Sequence, residues 1–245
     1  MTFERLENLN GQVAVITGSA GGVGFATARQ LAKSGAKIIG LVRKNVEEMQ
    51  SRLDTLGQGH TAMLADVTNS KQLNDIVLQI PQCDILVNNA GASTGVDHKN
   101  LNTLTDEMFD SIVKVNLYGT FYTTRAFLPL LKKSPYALIV NISSASSIRT
   151  GGSNIAYAAS KAGVDSLTRN LAKALAPIRV VSLNPTIIKT GFANYQDSVY
   201  DNIATRVPLQ RIVTVDDVAS AVEALATTLR FNTGNNITID GGGML

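Results

Sequence analysis

Short apolar runs that alternate with amphipathic stretches of helical period constrain this chain more than any other feature, because that alternation belongs to strand and helix units wound around a parallel sheet. The runs Val13 to Thr17, Lys37 to Val42, Thr61 to Leu64, Ile85 to Val87, Ala137 to Ile142, Arg179 to Leu183 and Asn236 to Ile239 read as seven strands. Between them the periodicity predicts helices over Gly22 to Ser34, Val46 to Leu56, Ser70 to Ile80, Asp106 to Leu131, Tyr157 to Leu175 and Val215 to Leu229, with Thr214 and Gly35 as caps. Runs such as AVIT, DILV and ALIVNI are apolar on both alternating faces, so helices should cover both faces of the sheet. No linker-like, repeated or low-complexity tract divides the chain, so one α/β domain over 1–245 is expected. The least patterned stretch, Gly191 to Gln210, follows the carboxyl end of a strand and reads as a substrate lid.

Composition removes several classes of function. A chain of 245 residues, 44% of them hydrophobic, buries a substantial core. No apolar run approaches the roughly 18 residues of a membrane span, and the start MTFERLENLNGQ lacks a secretory stretch, so a cytoplasmic protein with no membrane partner is expected. Cys83 is the single cysteine, and no cluster has metal-ligand spacing. The 22 basic residues are scattered among 19 acidic ones, which argues against a nucleic-acid partner despite the net charge of +3.

The first strand runs straight into Thr17-Gly18-Ser19-Ala20-Gly21-Gly22-Val23-Gly24 and then a helix. Gly18 permits a tight turn, while Gly22 and Gly24 let a pyrophosphate approach the positive end of the helix. With a strand before it and a helix after it, the loop points to dinucleotide binding and a Rossmann-type, doubly wound, seven-stranded parallel sheet. The third strand ends at Asp66-Val67 and the fourth at Asn88-Asn89-Ala90-Gly91, where adenine and ribose would lie. Taken singly, Asp66, Asn88 and Asn89 read equally as residues that satisfy loop backbone.

Tyr157 and Lys161 stand four apart at the start of a predicted helix, which puts phenol and ammonium on one face. A nearby ammonium favours the phenolate and should lower the tyrosine pKa from about 10, making Tyr157 a general acid/base. Ser144, at the end of VNISS, is placed to hydrogen-bond a substrate oxygen. Each has a bland alternative, since Tyr and Lys four apart also occur on solvated helices and a serine after a strand often only turns the chain.

Together TGSAGGVG, NNAG, KVNLYGTF, NISSASS, YAASK and NITIDGGGML resemble the short-chain dehydrogenase/reductase family, from about Gly11 to Leu245. The likeness is to its short, single-domain branch, which includes 3-oxoacyl carrier-protein reductases and many alcohol dehydrogenases. It implies an oxidoreductase moving a hydride between a nicotinamide cofactor and a small carbonyl or alcohol substrate. Tyr157 would be the proton donor or acceptor, Lys161 its pKa depressor and a ligand of the nicotinamide ribose, and Ser144 the residue that orients the carbonyl. Asn116 would sit at a bend in its helix and hold a water relaying protons from Lys161. The family also implies that Ser19, Val23, Asn89, Ala90 and Gly91 line the cofactor, with Ile188 and Thr190 near the nicotinamide. Two departures stand out: Pro185-Thr186 replaces the usual Pro-Gly, and the turn in ALAPIRV is shorter than the family norm.

An NAD-type site normally has an acidic residue at the end of the second strand, but Val42 stands there, followed by Arg43 and Lys44. NADP is therefore the expected cofactor, with Arg43 on its 2′-phosphate. Ile148, Arg149, Asn154, Ile187, Phe192 and Tyr195 are expected to shape the substrate pocket, Arg149 being placed to meet an anionic substrate near the mouth. His60 and His98 fit no catalytic role. A homotetramer is implied, packed through Asp106 to Leu131 and Tyr157 to Leu175, with Phe121, Phe127, Val164 and Leu167 as their apolar surplus. Rival readings are a catalytically silent dinucleotide sensor, a carrier-bound 3-oxoacyl reductase, and isomerase or dehydratase chemistry on nucleotide sugars, which needs a larger substrate domain.

Overall fold

The structure, a computed structural model, describes residues 3–192 and 195–245. Every apolar run forms a strand: β1 (Val13–Thr17), β2 (Lys37–Val42), β3 (Thr61–Leu64), β4 (Ile85–Asn88), β5 (Leu138–Ile142), β6 (Arg179–Pro185) and β7 (Asn236–Ile239). They build one parallel sheet in the order β3-β2-β1-β4-β5-β6-β7, with Val15 of β1 opposite Ile39 on one side and Leu86 on the other. The helices are α1 (Gly22–Lys33), α2 (Val46–Asp54), α3 (Ser70–Val77), α4 (Asp106–Val113), α5 (Gly119–Leu131), α6 (Ile155–Ala174), α7 (Asp197–Ala204) and α8 (Val215–Thr227).

Side-chain alternation along β1 shows why the sheet is covered twice. Ala14 and Ile16 join the cluster that holds Leu31 of α1, Leu53 of α2 and Val222 of α8. Val13 and Val15 face the opposite way, into the cluster of Leu73 from α3, Phe127 from α5 and Ala172 from α6. This is the expected doubly wound Rossmann-type sheet. The Thr214 cap is also as expected: its hydroxyl accepts from the Asp217 N–H while the Asp217 carboxylate accepts from the Thr214 N–H, which closes a capping box.

Two helices depart from the sequence reading. The stretch expected as one helix over Asp106 to Leu131 is broken by a π-helical turn at Lys114–Tyr118. Periodicity is nearly blind to one inserted residue, and the bend lies where the family resemblance implied one, at Asn116. Gly119, where α5 starts, is required because a Cβ there would lie 2.7 Å from Val67 Cγ2. The stretch at Gly191 to Gln210 contains α7, a short helix with Tyr200 as its one buried residue. Residues 193 and 194 of that stretch lie outside the described residues. Half of the supposed apolar surplus is core: Phe127 and Val164 are buried, Leu167 is half-buried, and Phe121 is exposed, as are Met108, Phe109 and Tyr118.

The loop after β1 packs closely against the start of α1. At Gly24 a Cβ would sit 2.3 Å from the Gly18 carbonyl oxygen and 2.6 Å from Asn89 Nδ2. Gly24→Ala is therefore expected to destabilise the protein by about 2–3 kcal/mol, the scale of overpacking against backbone. Urea unfolding checks this, and an unchanged midpoint would show that the loop shifts freely.

Candidate active site

The carboxyl ends of β1, β4, β5 and β6 open into a cavity of about 630 Å³, the place where open α/β sheets take ligands. One end lies at the glycine loop, against Gly18, Gly21, Gly22 and Val23. The other end holds Ser144, Tyr157 and Lys161, with Thr186 to Ile188 and Phe192 from the segment after β6 and Val199 and Ile203 from α7. Asn89, Ala90, Gly91 and Thr190 lie along the same cavity.

Five residues expected around a cofactor do not line it. Ser19 is fully buried, and its hydroxyl donates to the Leu41 carbonyl at 3.4 Å. Gly24 packs on the Gly18 carbonyl, and Val67 on Gly119. Asp66 accepts from the Thr68 N–H and hydroxyl, both at 2.8 Å, so its carboxylate caps a turn. Arg43 is exposed just past the end of β2. Asn89 does line the cavity, yet its amide is spent on the carbonyls of Thr17 at 3.0 Å and Gly18 at 2.9 Å.

Local structure fixes the reactive side chains. Ser144 caps the 3₁₀ turn Ala145–Ser147, its Oγ accepting from the Ser146 N–H at 3.2 Å and the Ser146 hydroxyl at 2.7 Å. Its own hydroxyl hydrogen is left to donate. Asn154 caps α6 by accepting from the Tyr157 N–H at 2.8 Å, and its amide donates to Thr94 O and Ser93 Oγ. Asn154 is thus a cap and not the pocket wall expected of it, and Ile148 also stands outside the lining. Asn116 lies within the π-helical turn, fully buried behind the cavity. Its Oδ1 accepts from the Ala92 N–H at 2.8 Å, and its Nδ2 donates to Ala92 O at 3.0 Å and Ser160 Oγ at 2.9 Å.

The electrostatics correct one expectation. Lys161 is 4% exposed and its Nζ donates to the Ile142 carbonyl at 2.7 Å, while lying 5.6 Å from the centre of the Tyr157 ring. Burial lowers its pKa to about 8 against the opposing charge of Asp165. Tyr157 is pushed up to about 12, first by burial and then by Tyr195, with the Ser144 hydrogen bond pulling the other way. The ammonium is directed at a backbone carbonyl, and burial of the phenol outweighs what pulls its pKa down.

Beneath the site lies a polar cluster that motif reading missed. The Asp165 carboxylate, 3% exposed, accepts from Ser147 Oγ at 2.5 Å, Asn184 Nδ2 at 2.6 Å and Ser182 Oγ at 3.0 Å. Ser147 Oγ and Asn184 Nδ2 also reach the Ser144 carbonyl, at 2.7 and 3.3 Å. A signal existed: Asp165 follows Lys161 by one helical turn, and Ser182 and Asn184 interrupt an otherwise apolar strand. The histidines are as unremarkable as the sequence suggested. His60 Nδ1 accepts from the Ile38 N–H, and His98 Nε2 lies 3.2 Å from the Gly152 carbonyl.

A glycine-rich loop at a helix start, a switch-point cavity and a Ser, Tyr, Lys group at its far end define a dinucleotide-dependent oxidoreductase of Rossmann type. A family model described as enoyl-(acyl carrier protein) reductase matches residues 18–243, and the chain belongs to the short-chain dehydrogenase/reductase family. It is 33% identical to a 3-oxoacyl-(acyl-carrier-protein) reductase from Thermotoga maritima, over 96% of this chain and 98% of that one. It is also 33% identical to a 4-formylbenzenesulfonate dehydrogenase from Comamonas testosteroni, with the same coverage. A solved 3-ketoacyl-(acyl-carrier-protein) reductase from Brucella melitensis, complexed with NADH, superposes with a TM-score of 0.87 at 32% identity, over 97% of this chain and 100% of that one.

Asp165→Leu would leave three buried donors without their acceptor. It is expected to cost about 3 kcal/mol or more of stability, and Asp165→Asn less, as measured by chemical denaturation of both variants.

Proposed function

We propose that this protein is an NADP(H)-dependent carbonyl reductase and alcohol dehydrogenase acting on small, free substrates in the cytoplasm. The observation that carries the reading is the single cavity joining the glycine loop to Ser144, Tyr157 and Lys161. The loop suits a dinucleotide: Gly22 holds φ +52°, a conformation that favours glycine, and at Gly18 (φ +62°) a Cβ would lie 2.9 Å from Ala90 Cα. Gly18, Gly22, Val23 and Ala90 would hold its phosphates and ribose, with Ile188 and Thr190 beside the nicotinamide. When bound, that group supplies or accepts the hydride.

The chain's own residues handle the oxygen and its proton. Ser144 donates a hydrogen bond to the substrate oxygen and so fixes the carbonyl against Tyr157. Tyr157 donates the proton in reduction and takes it back in oxidation. With a pKa near 12 the phenol is fully loaded at neutral pH, a state suited to reduction. Lys161 holds a ribose hydroxyl, and Asn116 anchors the loop after β4 at Ala92. The described residues of the segment 191–210 act as a lid, tied down by Lys189 to Asp197 at 2.7 Å and by the Phe192 ring 5.8 Å from that of Tyr157.

Several features support NADP. Val42 leaves no carboxylate at the end of β2, and the exposed Arg43 makes no ion pair among the described residues. The Brucella relative was captured with NADH, so the choice between cofactors lies in such local residues. The exposed Met108, Phe109, Tyr118 and Phe121 suit the faces of a homotetramer. A carrier-bound 3-oxoacyl substrate is the second reading, favoured by what the Thermotoga relative is named for. Against it, Pro135 in KKSPYA and the shortened turn of LAPIRV stand where such reductases would place the arginines that grip the carrier protein, and Arg179 of that stretch is buried on the Leu225 carbonyl.

Tyr157→Phe should keep cofactor affinity and cut turnover by at least about a hundredfold. Arg43→Ala should lower kcat/KM for NADPH selectively, and a wild type that prefers NADH would contradict the cofactor assignment. Oxidation of an alcohol needs the phenolate, so its rate should rise between neutral pH and about 10 while reduction gains nothing. Initial rates in both directions across that range check the sign.

A further inference from the structure

Arg149 and Lys161 are the charged side chains lining the cavity, and no Asp or Glu lines it among the described residues. Lys161 is buried at the floor, with its ammonium on the Ile142 carbonyl. Arg149 sits at the rim, directly after the turn that carries Ser144, and its backbone N–H is fixed to the Ala145 carbonyl at 3.1 Å. Its guanidinium has no acidic partner within ion-pair distance among the described residues, only a long contact of 3.5 Å to the Gly243 carbonyl. Arg29 and Arg211, equally exposed, are both matched by aspartates.

Apolar side chains from the segment after β6 and from α7 share the cavity with Tyr157 and Arg149: Ile187, Phe192, Tyr195, Val199 and Ile203. The Phe192 and Tyr157 rings stand at 53° to each other, which leaves aromatic edges and faces for a flat or chain-like body. A cation at the mouth of an apolar cleft is screened less than one on open surface, and a guanidinium forks onto a carboxylate or sulfonate through two hydrogen bonds.

We propose that Arg149 makes this an enzyme for carbonyl compounds that carry an anionic group, with an apolar or aromatic body separating the carbonyl from a carboxylate or sulfonate. The carbonyl end meets Ser144 and Tyr157 while the anion meets Arg149. This rests on the reading of Tyr157 as acid/base and adds the substrate class to it. The chemistry is the balanced reduction of an aldehyde or ketone by NADPH and one proton, giving the alcohol and NADP. The Comamonas relative is named for a compound with these three parts: a formyl group, an aromatic ring and a sulfonate.

The test compares kcat/KM with NADPH for 4-formylbenzoate and 4-formylbenzenesulfonate against the neutral 4-formylbenzamide and benzaldehyde. The anionic pair should lead by about tenfold, the scale of one charge-assisted bidentate contact. Added salt should shrink that lead, Arg149→Gln should abolish it, and Arg149→Lys should keep part of it. Equal rates for all four in the wild type, or a lead that survives Arg149→Gln, would overturn the proposal. Calorimetric binding of benzoate against benzamide, in wild type and Arg149→Gln, reads the anion site without turnover. Selective benzoate binding that needs Arg149, with no aldehyde reduced, would sink the acid/base reading and leave the anion site standing. Absence of that selectivity would sink the anion site even if every aldehyde is reduced.

Discussion

The hydroxyl of Thr17 is the fastening on which the site depends. It accepts from the backbone N–H groups of Asn89 and Ala90, both at 3.0 Å, and donates to the Val87 carbonyl at 3.4 Å. The Asn89 side chain returns two hydrogen bonds to the carbonyls of Thr17 and Gly18. These contacts join the loops after β1 and β4, the two central strands between which the sheet changes direction of winding. The floor of the cavity is thus one hydrogen-bonded piece, and the glycine loop has a fixed position relative to the helix that carries Tyr157.

A second set of buried polar groups holds the other half. Asn88 donates to Asn141 at 2.8 Å, and Asn141 donates to Thr168 of α6 at 2.8 Å, which links β4, β5 and that helix across the core. Asp165 adds β6 and the turn bearing Ser144. Buried polar groups are costly unless partnered, and such networks resist rotation or sliding of the elements that they join. The same burial drives Tyr157 and Lys161 toward their neutral forms, so the resting site stores its proton on the phenol.

Apolar runs made the seven strands legible, most plainly β1, β4 and β5, which are buried at every position. The helix break at Lys114–Tyr118 was legible only through the family resemblance that placed a bend at Asn116, because periodicity hides a single extra residue, and α7 was not legible because it is a short, mostly exposed turn sequence. At the site, motifs showed which residues gather but not which atoms are already committed. Asp66 was readable either as a cofactor neighbour or as a turn cap and caps a turn, Asn154 was expected at the pocket wall and caps α6, and Asp165 looks like an ordinary helix surface residue and is buried. Tyr157 and Lys161 were legible as neighbours. The direction of the tyrosine shift was not, because it turns on the burial of the phenol.

The π-helical turn absorbs one residue without turning the helix beyond it. Five residues in the wider π turn sweep about the angle that four sweep in a regular helix, so α4 and α5 stay in phase across it, and Phe127 and Leu131 keep facing the core. The extra residue bulges, and Asn116 lies in the bulge, where it meets the carbonyl and N–H of Ala92. Deleting one residue there would leave the packing of α5 in place and take away the anchor of the loop after β4. The bulge therefore serves the site and not the core.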